Sequence, residues 1–287
     1  IEPEILNKYV EIKSFFSSLG IDSNLELITS AMIIFSLIYF LKTGLLLYIT
    51  YKQADFSQDI AQFLSSKLYG SYLKRDYIIN LNTNSATLIR NTVTEVNQLT
   101  TVIQNGLLLT TEIAISLSIL LTLLYIDPVG ASSVFVFLFF SGSLLYLTLR
   151  GYIYRLGLKK LNADENRTIS LVQGYNAFKE VKIFKKENFF IKNFIRQNIL
   201  FYNFMKKLIV VQQVPRLYLE LISVIGLSVF VVSNILRGID VQNLIAVLSV
   251  FALAAFRLIP SVNRILTNLQ AVRYAVPSVN LLYNEFF

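Results

Sequence analysis

Five apolar stretches dominate this chain, at 27–51, 101–126, 128–150, 208–236 and 241–260. A helix needs about 20 apolar residues to cross the hydrocarbon core of a bilayer. Five stretches of that length in 287 residues cannot all be hidden inside a soluble fold. The rest of the composition agrees: 54% of residues are apolar and 15% are charged, against roughly 25% charged in soluble domains. A soluble globular enzyme is excluded, and an all-α, multi-pass membrane protein is implied.

The connections are of two kinds. Asp127-Pro128 separates the second and third stretches, with Asp as helix cap and Pro at the first helical position. Arg237-Gly238-Ile239-Asp240 separates the fourth and fifth; Gly ends one helix and Asp240 caps the next. On the other side, residues 52–100 and 151–207 are long connections with helical periodicity. Phe56, Ile60, Phe63, Leu68 and Tyr72 recur at helical spacing, as do Phe190, Phe194, Phe201 and Met205. The spans are therefore expected to continue as helices well beyond the membrane.

Charge orients the chain. Lys and Arg number 5 in residues 52–100 and 13 in residues 150–207, against one in the short turns, Arg237. Excess basic charge marks cytoplasmic loops, so the long connections face the cytoplasm. The net charge of +8 is then a topology signal, and no nucleic-acid partner is implied. Residues 1–26 lie outside. Ile5, Tyr9, Ile12, Phe16 and Leu19 share one helical face there, and Ser23 with Glu26 forms a capping-box pattern for the first span. That external amphipathic helix lies either in the headgroup region or on the protein's own rim. An external start followed by five spans ends in the cytoplasm. One span missing before residue 1 restores six, with both ends inside.

Several chemistries are absent. The chain has no Cys and no His. Thiolate nucleophiles, Cys/His zinc sites and imidazole-based triads are excluded. No Gly-Lys dipeptide occurs, so there is no phosphate-binding P-loop. No catalytic residue, metal site or cofactor is expected in this chain.

Two connection motifs carry a resemblance. "YLKRDYIINLNTNSATLIRNTVTEVNQL" (Tyr72–Leu99) resembles the region of the first coupling helix of ABC exporters. "VQGYNAFKEVKIFKKENFF" (Val172–Phe190) resembles the second. "PRLYLE" (Pro215–Glu220) and "FRLIPSVNRI" (Phe256–Ile265) resemble the branch of flippases for lipid-linked oligosaccharides, such as those of bacterial protein N-glycosylation. The resemblance covers residues 27–287. It implies an ABC exporter transmembrane domain with long cytoplasmic helical extensions, in the bacterial inner membrane. Five of six spans are then present, and the nucleotide-binding domain would follow Phe287. That domain would bring ATP and Mg, and the full-length protein would be an ATP-hydrolysing translocase. Partners would be that domain, a second copy in a homodimer, membrane lipid and a glycolipid substrate moved by alternating access.

Charge within spans is costly and calls for a reason. Lys42, Arg216, Arg257 and Arg264 are the basic candidates, with Glu112 and Glu220 as acidic counterparts. In the flippases that the chain resembles, basic residues of the second, fifth and sixth spans contact the substrate pyrophosphate. Lys42, Arg216 and Arg257 occupy matching spans. Arg binds phosphate oxygens as a bidentate fork; Lys42 keeps the charge and loses the fork. The structural alternatives are pairing of Arg216 with Glu220 at i, i+4, snorkelling of Arg216 and Arg264, and pairing of Lys42 with Glu112. Pro260 is expected to kink or loosen the last helix. For coupling to the nucleotide-binding domain, the expected tips are Tyr77–Asn84 (with Tyr77, Asn80 and Asn84) and Ser170–Tyr175 (with Ser170, Gln173 and Tyr175). Two other functions fit the sequence: an exporter of peptide, toxin, lipid or drug, and an ATP-independent channel or membrane scaffold.

Overall fold

The computed structural model describes residues 24–77, 83–126, 128–236 and 241–286. Within helices some side chains fall outside that description, those of 241–255 and of Arg257 among them. So do residues 1–23, with the expected external helix and its cap, and the turn residues Asp127 and 237–240.

Every regular element among the described residues is helical: α1 Asn24–Lys74, α2 Ser85–Arg90, a five-residue π-helical turn Asn91–Glu95, α3 Val96–Ile126, α4 Pro128–Asn176, α5 Phe178–Ile183, α6 Glu187–Leu236 and α7 Val241–Phe286. The five expected spans fall in α1, α3, α4, α6 and α7. Four of these are long and apolar enough to cross a membrane among the described residues: Ile28–Lys74, Ser85–Tyr125, Val134–Asn176 and Glu187–Val229. The fifth expected span, 241–260, lies in α7 where most side chains are outside the description. At 1.5 Å rise per residue α1, α4, α6 and α7 run about 70–75 Å, more than twice the roughly 30 Å hydrocarbon core. The helices therefore extend far past the apolar stretches, as the periodicity predicts.

Contacts divide the chain into two units, Ile1–Phe56 and Ser57–Phe287. Within the first, α1 offers its apolar side chains outward; Met32, Ile33, Phe40 and Leu47 are each at least 60% exposed. Such a surface suits lipid or another helix rather than water.

The second unit is held by three clusters. Val134, Leu138 and Leu145 of α4 meet Leu219 of α6 and Leu258 and Leu266 of α7. Further along, Ile153 and Leu156 meet Leu208 and Val211 of α6 and Tyr274 of α7. The spacing 134, 138, 145, 153, 156 keeps one face of α4 inward over several turns. A third cluster joins Ala61, Leu68 and Tyr72 of α1 to Val96 of α3 and Leu282 of α7. Leu68 and Tyr72 are thus core residues, as their period implies, whereas Phe56 and Phe63 of the same series are exposed.

The prolines do not end the helices. Pro215 lies inside α6, and Pro260 and Pro277 lie inside α7. Each removes one backbone donor from its helix. Helix α7 crosses α4 closely at Gly157, whose Cα faces the Tyr274 carbonyl.

Candidate functional site

Two regions collect the polar side chains that sequence reasoning singles out. The first is the seam between α3 and α7. Arg264 Nε lies 3.2 Å from Glu112 Oε1, which makes an ion pair across the two helices. The pair is lopsided: the Arg264 side chain is 59% exposed and that of Glu112 is 11% exposed. Glu112 therefore takes Arg264 as its partner. Lys42, its expected alternative partner, lies in the other unit, with its ammonium 4.9 Å from the Tyr39 ring centroid. The Arg264 Nε is committed to Glu112, and its remaining guanidinium donors stay on an exposed side chain.

The same two helices carry more unpartnered polar atoms. Glu112 Oε2, Ser116 Oγ, Asn263 Oδ1 and Gln270 Oε1 are buried without hydrogen-bond partners. Such a row inside apolar helices is costly and calls for water, ligand or a second arrangement of the helices. Beside it, an apolar pocket of about 430 Å³ opens between α3, α4 and α7, lined by Ser116, Phe135, Phe139, Tyr146 and Leu266.

Arg216 stands apart on α6. Its Nε lies 3.2 Å from Glu220 Oε1, and both side chains are more than half exposed. The i, i+4 pairing read from the sequence is present. The pair faces outward on this chain, so Arg216 can still meet a ligand or a second copy. Arg257 lies on α7, but its side chain is outside the described residues, as is Asn80 of the first tip.

The second region is the pair of connections at the far ends of the long helices. Asn84 caps α2: its side-chain oxygen accepts from the backbone N–H of Ala86 at 3.0 Å. Tyr77 is 75% exposed. The other connection differs from expectation. Ser170, Gln173 and Tyr175 lie within α4, not at a turn. Ser170 is buried and accepts from Asn193 Nδ2 at 3.1 Å. The helical path continues through Ala177, whose N–H reaches Gln173 O, into α5. The chain reverses only at Phe184–Lys186. There Lys186 N–H bonds Val181 O at 3.0 Å and Lys185 N–H bonds Lys182 O at 3.4 Å. That is a Schellman stop with Lys185 at φ 51°, the left-handed position usually given to Gly. The tip is displaced because no Gly or Pro marks it.

The two connections nevertheless meet. Asn84 from the first, Gln173, Asn176 and Glu180 near the second, and Phe189 and Phe190 from α6 line one open groove of about 590 Å³. Tyr175, Phe178 and Phe184 around the second tip are each at least 60% exposed. This end thus offers aromatic and amide surface with nothing of the described chain covering it.

Sequence reasoning missed a third feature, a charge cluster between α2, the π-turn, α4 and α7. Arg90 Nη1 pairs with Glu165 Oε2 at 3.0 Å, and Arg90 Nε lies 3.5 Å from Glu95 Oε1. On α4, Asp164 is shared by Lys160 at 3.7 Å and Arg167 at 2.6 Å. The Arg167 guanidinium also stacks 3.8 Å from the Phe201 ring centroid of α6. The 160, 164, 167 spacing on one helix face was a readable signal. Arg90 and Glu95 are five apart, which is not an α-helical pairing, and only the π-turn joins them.

No known protein-family model matches the sequence.

Proposed function

We propose that the chain is the transmembrane half of an ATP-driven exporter in the bacterial inner membrane, acting as a homodimer. The cargo we infer is a lipid-linked oligosaccharide or related glycolipid, moved by alternating access. One observation carries this reading. Helices far longer than a bilayer is thick run past the apolar stretches, and their two connections gather around a single open groove at Asn84, Gln173 and Phe190. A channel or scaffold does not require such levers. An exporter does: closure of nucleotide-binding domains against the groove and the exposed Tyr175, Phe178 and Phe184 becomes rigid-body motion of the spans. ATP and Mg belong to that domain, which the proposal places on the same polypeptide.

The cargo assignment rests on basic residues in apolar helices. Lys42, Arg216, Arg257 and Arg264 supply positive charge for a pyrophosphate, with the lipid tail left in the bilayer. Arg216, exposed and held only by Glu220, is the described candidate with the freest guanidinium. The deciding experiment uses the full-length protein in proteoliposomes. A lipid-linked oligosaccharide should stimulate ATP hydrolysis and become accessible on the opposite face, and Arg257→Ala should abolish flipping without preventing assembly. ATP hydrolysis with no movement of that substrate would overturn the cargo and leave peptides and simpler lipids to be tried. Absence of ATP hydrolysis would overturn the exporter. Normal flipping by Arg257→Ala would remove Arg257 from the pathway.

A further inference from the structure

The π-turn ends in a buried carboxyl group whose one ion-pair contact is long, 3.5 Å to Arg90 Nε. Glu95 is 0% exposed. Neither of its oxygens has a hydrogen-bond partner at good geometry, and the Ser278 hydroxyl faces it only as a weak donor. Its nearest cation is already engaged. Arg90 gives Nη1 to Glu165 and to Leu161 O, and Nη2 to Asn91 Oδ1 at 3.1 Å; only Nε, without a hydrogen bond, is left toward Glu95. Lys160 faces Glu95 from α4 but shares Asp164 with Arg167. From α7, Ser278 and Tyr274 face it. On the α1 side, Tyr72 is occupied by Asn91, which donates to its hydroxyl at 3.2 Å. Glu95 is therefore enclosed by α4, α7 and its own turn, among groups that satisfy one another.

A sealed carboxylate with only a weak donor and a long ion pair is disfavoured relative to its neutral form. Glu95 lies in the polar lead-in of the helix Ser85–Tyr125, before the apolar stretch 101–126 that would cross the membrane. Burial outweighs the opposing effects of Ser278, Lys160 and Arg90, and with a smaller push from Asp164 it holds the Glu95 carboxyl above the usual range. The backbone there is also the least regular part of the long helices. A π-turn holds one residue more than an α-turn, and such insertions mark places where a helix can change register.

We propose that Glu95 is a proton-dependent latch: neutral, it keeps the π-turn clamped between α4 and α7, and ionised, it drives this junction toward an arrangement that admits water to the carboxylate. The packed junction then takes up a proton and the opened one releases it. Because the packed form holds its proton more tightly, the clamp is firm at low pH and weakens as pH rises through the Glu95 value in the packed form. The latch does not depend on the exporter reading, since it concerns only how these helices hold together.

Hydrogen exchange tests it on the full-length protein in lipid nanodiscs, followed from about pH 4, below the ordinary glutamate value, to about pH 9 and corrected for intrinsic rates. Peptides covering residues 86–100 should lose protection about tenfold for each unit by which the packed form raises the Glu95 value. Glu95→Gln should be protected at every pH, as the wild type is at low pH. Ser278→Ala removes a group that favours ionised Glu95, so it should move the wild-type transition to higher pH. Protection of 86–100 that does not change with pH in the wild type overturns the latch. So does a transition that survives Glu95→Gln, or one that Ser278→Ala moves to lower pH. If Glu95→Gln fails to fold, the wild-type and Ser278→Ala profiles decide alone.

Discussion

Replacing Gly157 with Ala tests how closely α4 and α7 must approach. A Cβ at this position would collide with the Tyr274 carbonyl oxygen and lie 3.1 Å from its carbonyl carbon and 3.4 Å from Pro277 Cγ. The obstacle is backbone, so no rotamer change relieves it; the helices have to separate. Overpacking of this kind costs ~1–3 kcal/mol, and a backbone collision belongs at the upper end. Ala gains up to ~1 kcal/mol over Gly inside a helix. The net loss should then be ~2 kcal/mol. Gly151, on the same helix, is the control: nothing lies within 4 Å of a Cβ placed there, so Gly151→Ala should gain ~0.5–1 kcal/mol. The assay is unfolding of the purified protein in mixed micelles by increasing SDS, followed by circular dichroism. The two variants should move in opposite directions from wild type. Equal stability of Gly157→Ala and wild type, or movement of both variants together, would refute the close crossing.

Other consequences are smaller. Asn84→Ala removes the oxygen that caps Ala86 N–H and should weaken α2 by ~1 kcal/mol, read as faster amide exchange over residues 85–90. Lys185→Gly relieves a left-handed backbone at the second tip and should stabilise it by ~1 kcal/mol, with slower exchange at 181–187 as the readout. The Arg216–Glu220 pair is exposed on both sides, so Arg216→Ala should change stability by less than ~1 kcal/mol. A loss of cargo transport by that variant at unchanged stability would mark the residue as part of the transport pathway, and a loss of stability would mark it as structural.

The helices were legible because length and apolarity are properties of a stretch. Stretches 101–126, 128–150 and 208–236 needed no tertiary information to be placed in α3, α4 and α6. Periodicity extended them correctly through Leu68, Tyr72 and Phe201, all of which are buried. The second tip was not legible. A left-handed Lys185 gives the sequence no signal, so the helix was expected to stop near Tyr175 when it runs on to Ile183 with one break at Ala177. Ion pairs were readable only within a helix. Arg216–Glu220 follows from a spacing of four, whereas Glu112 meets Arg264 through the crossing of α3 and α7, a pairing that no spacing in the sequence signals. The Arg90–Glu95 pairing depends on a π-turn that has no residue signature in "NTVTE".

The placement of unsatisfied atoms says where these helices rearrange. Buried polar atoms without partners occur on Arg90, Glu95, Glu112 and Ser116 along α2, the π-turn and α3, on Ser141 of α4, and on Asn263, Gln270 and Arg273 of α7. Among the described residues α6 has none. It meets α4 through Ile153, Leu156, Leu208 and Val211, and through Gly226, where a Cβ would lie 3.1 Å from the Phe137 ring. A close-packed interface whose polar groups are paired, as Asn193 with Ser170, resists deformation and moves as one piece. A seam with unpaired polar atoms loses less on opening, because each such atom gains a partner from water. The α4–α6 pair should therefore move as a unit, with opening along α3–α7. Residues 1–287 contain no Cys, so spin-label pairs can be introduced here at new cysteines without a native thiol of these helices competing. On the exporter reading, distances between labels on α4 and α6 should hold within the label's own spread when ATP is added, while those between α3 and α7 should shift. A change confined to the α4–α6 distances would show that packing quality does not govern which interface yields.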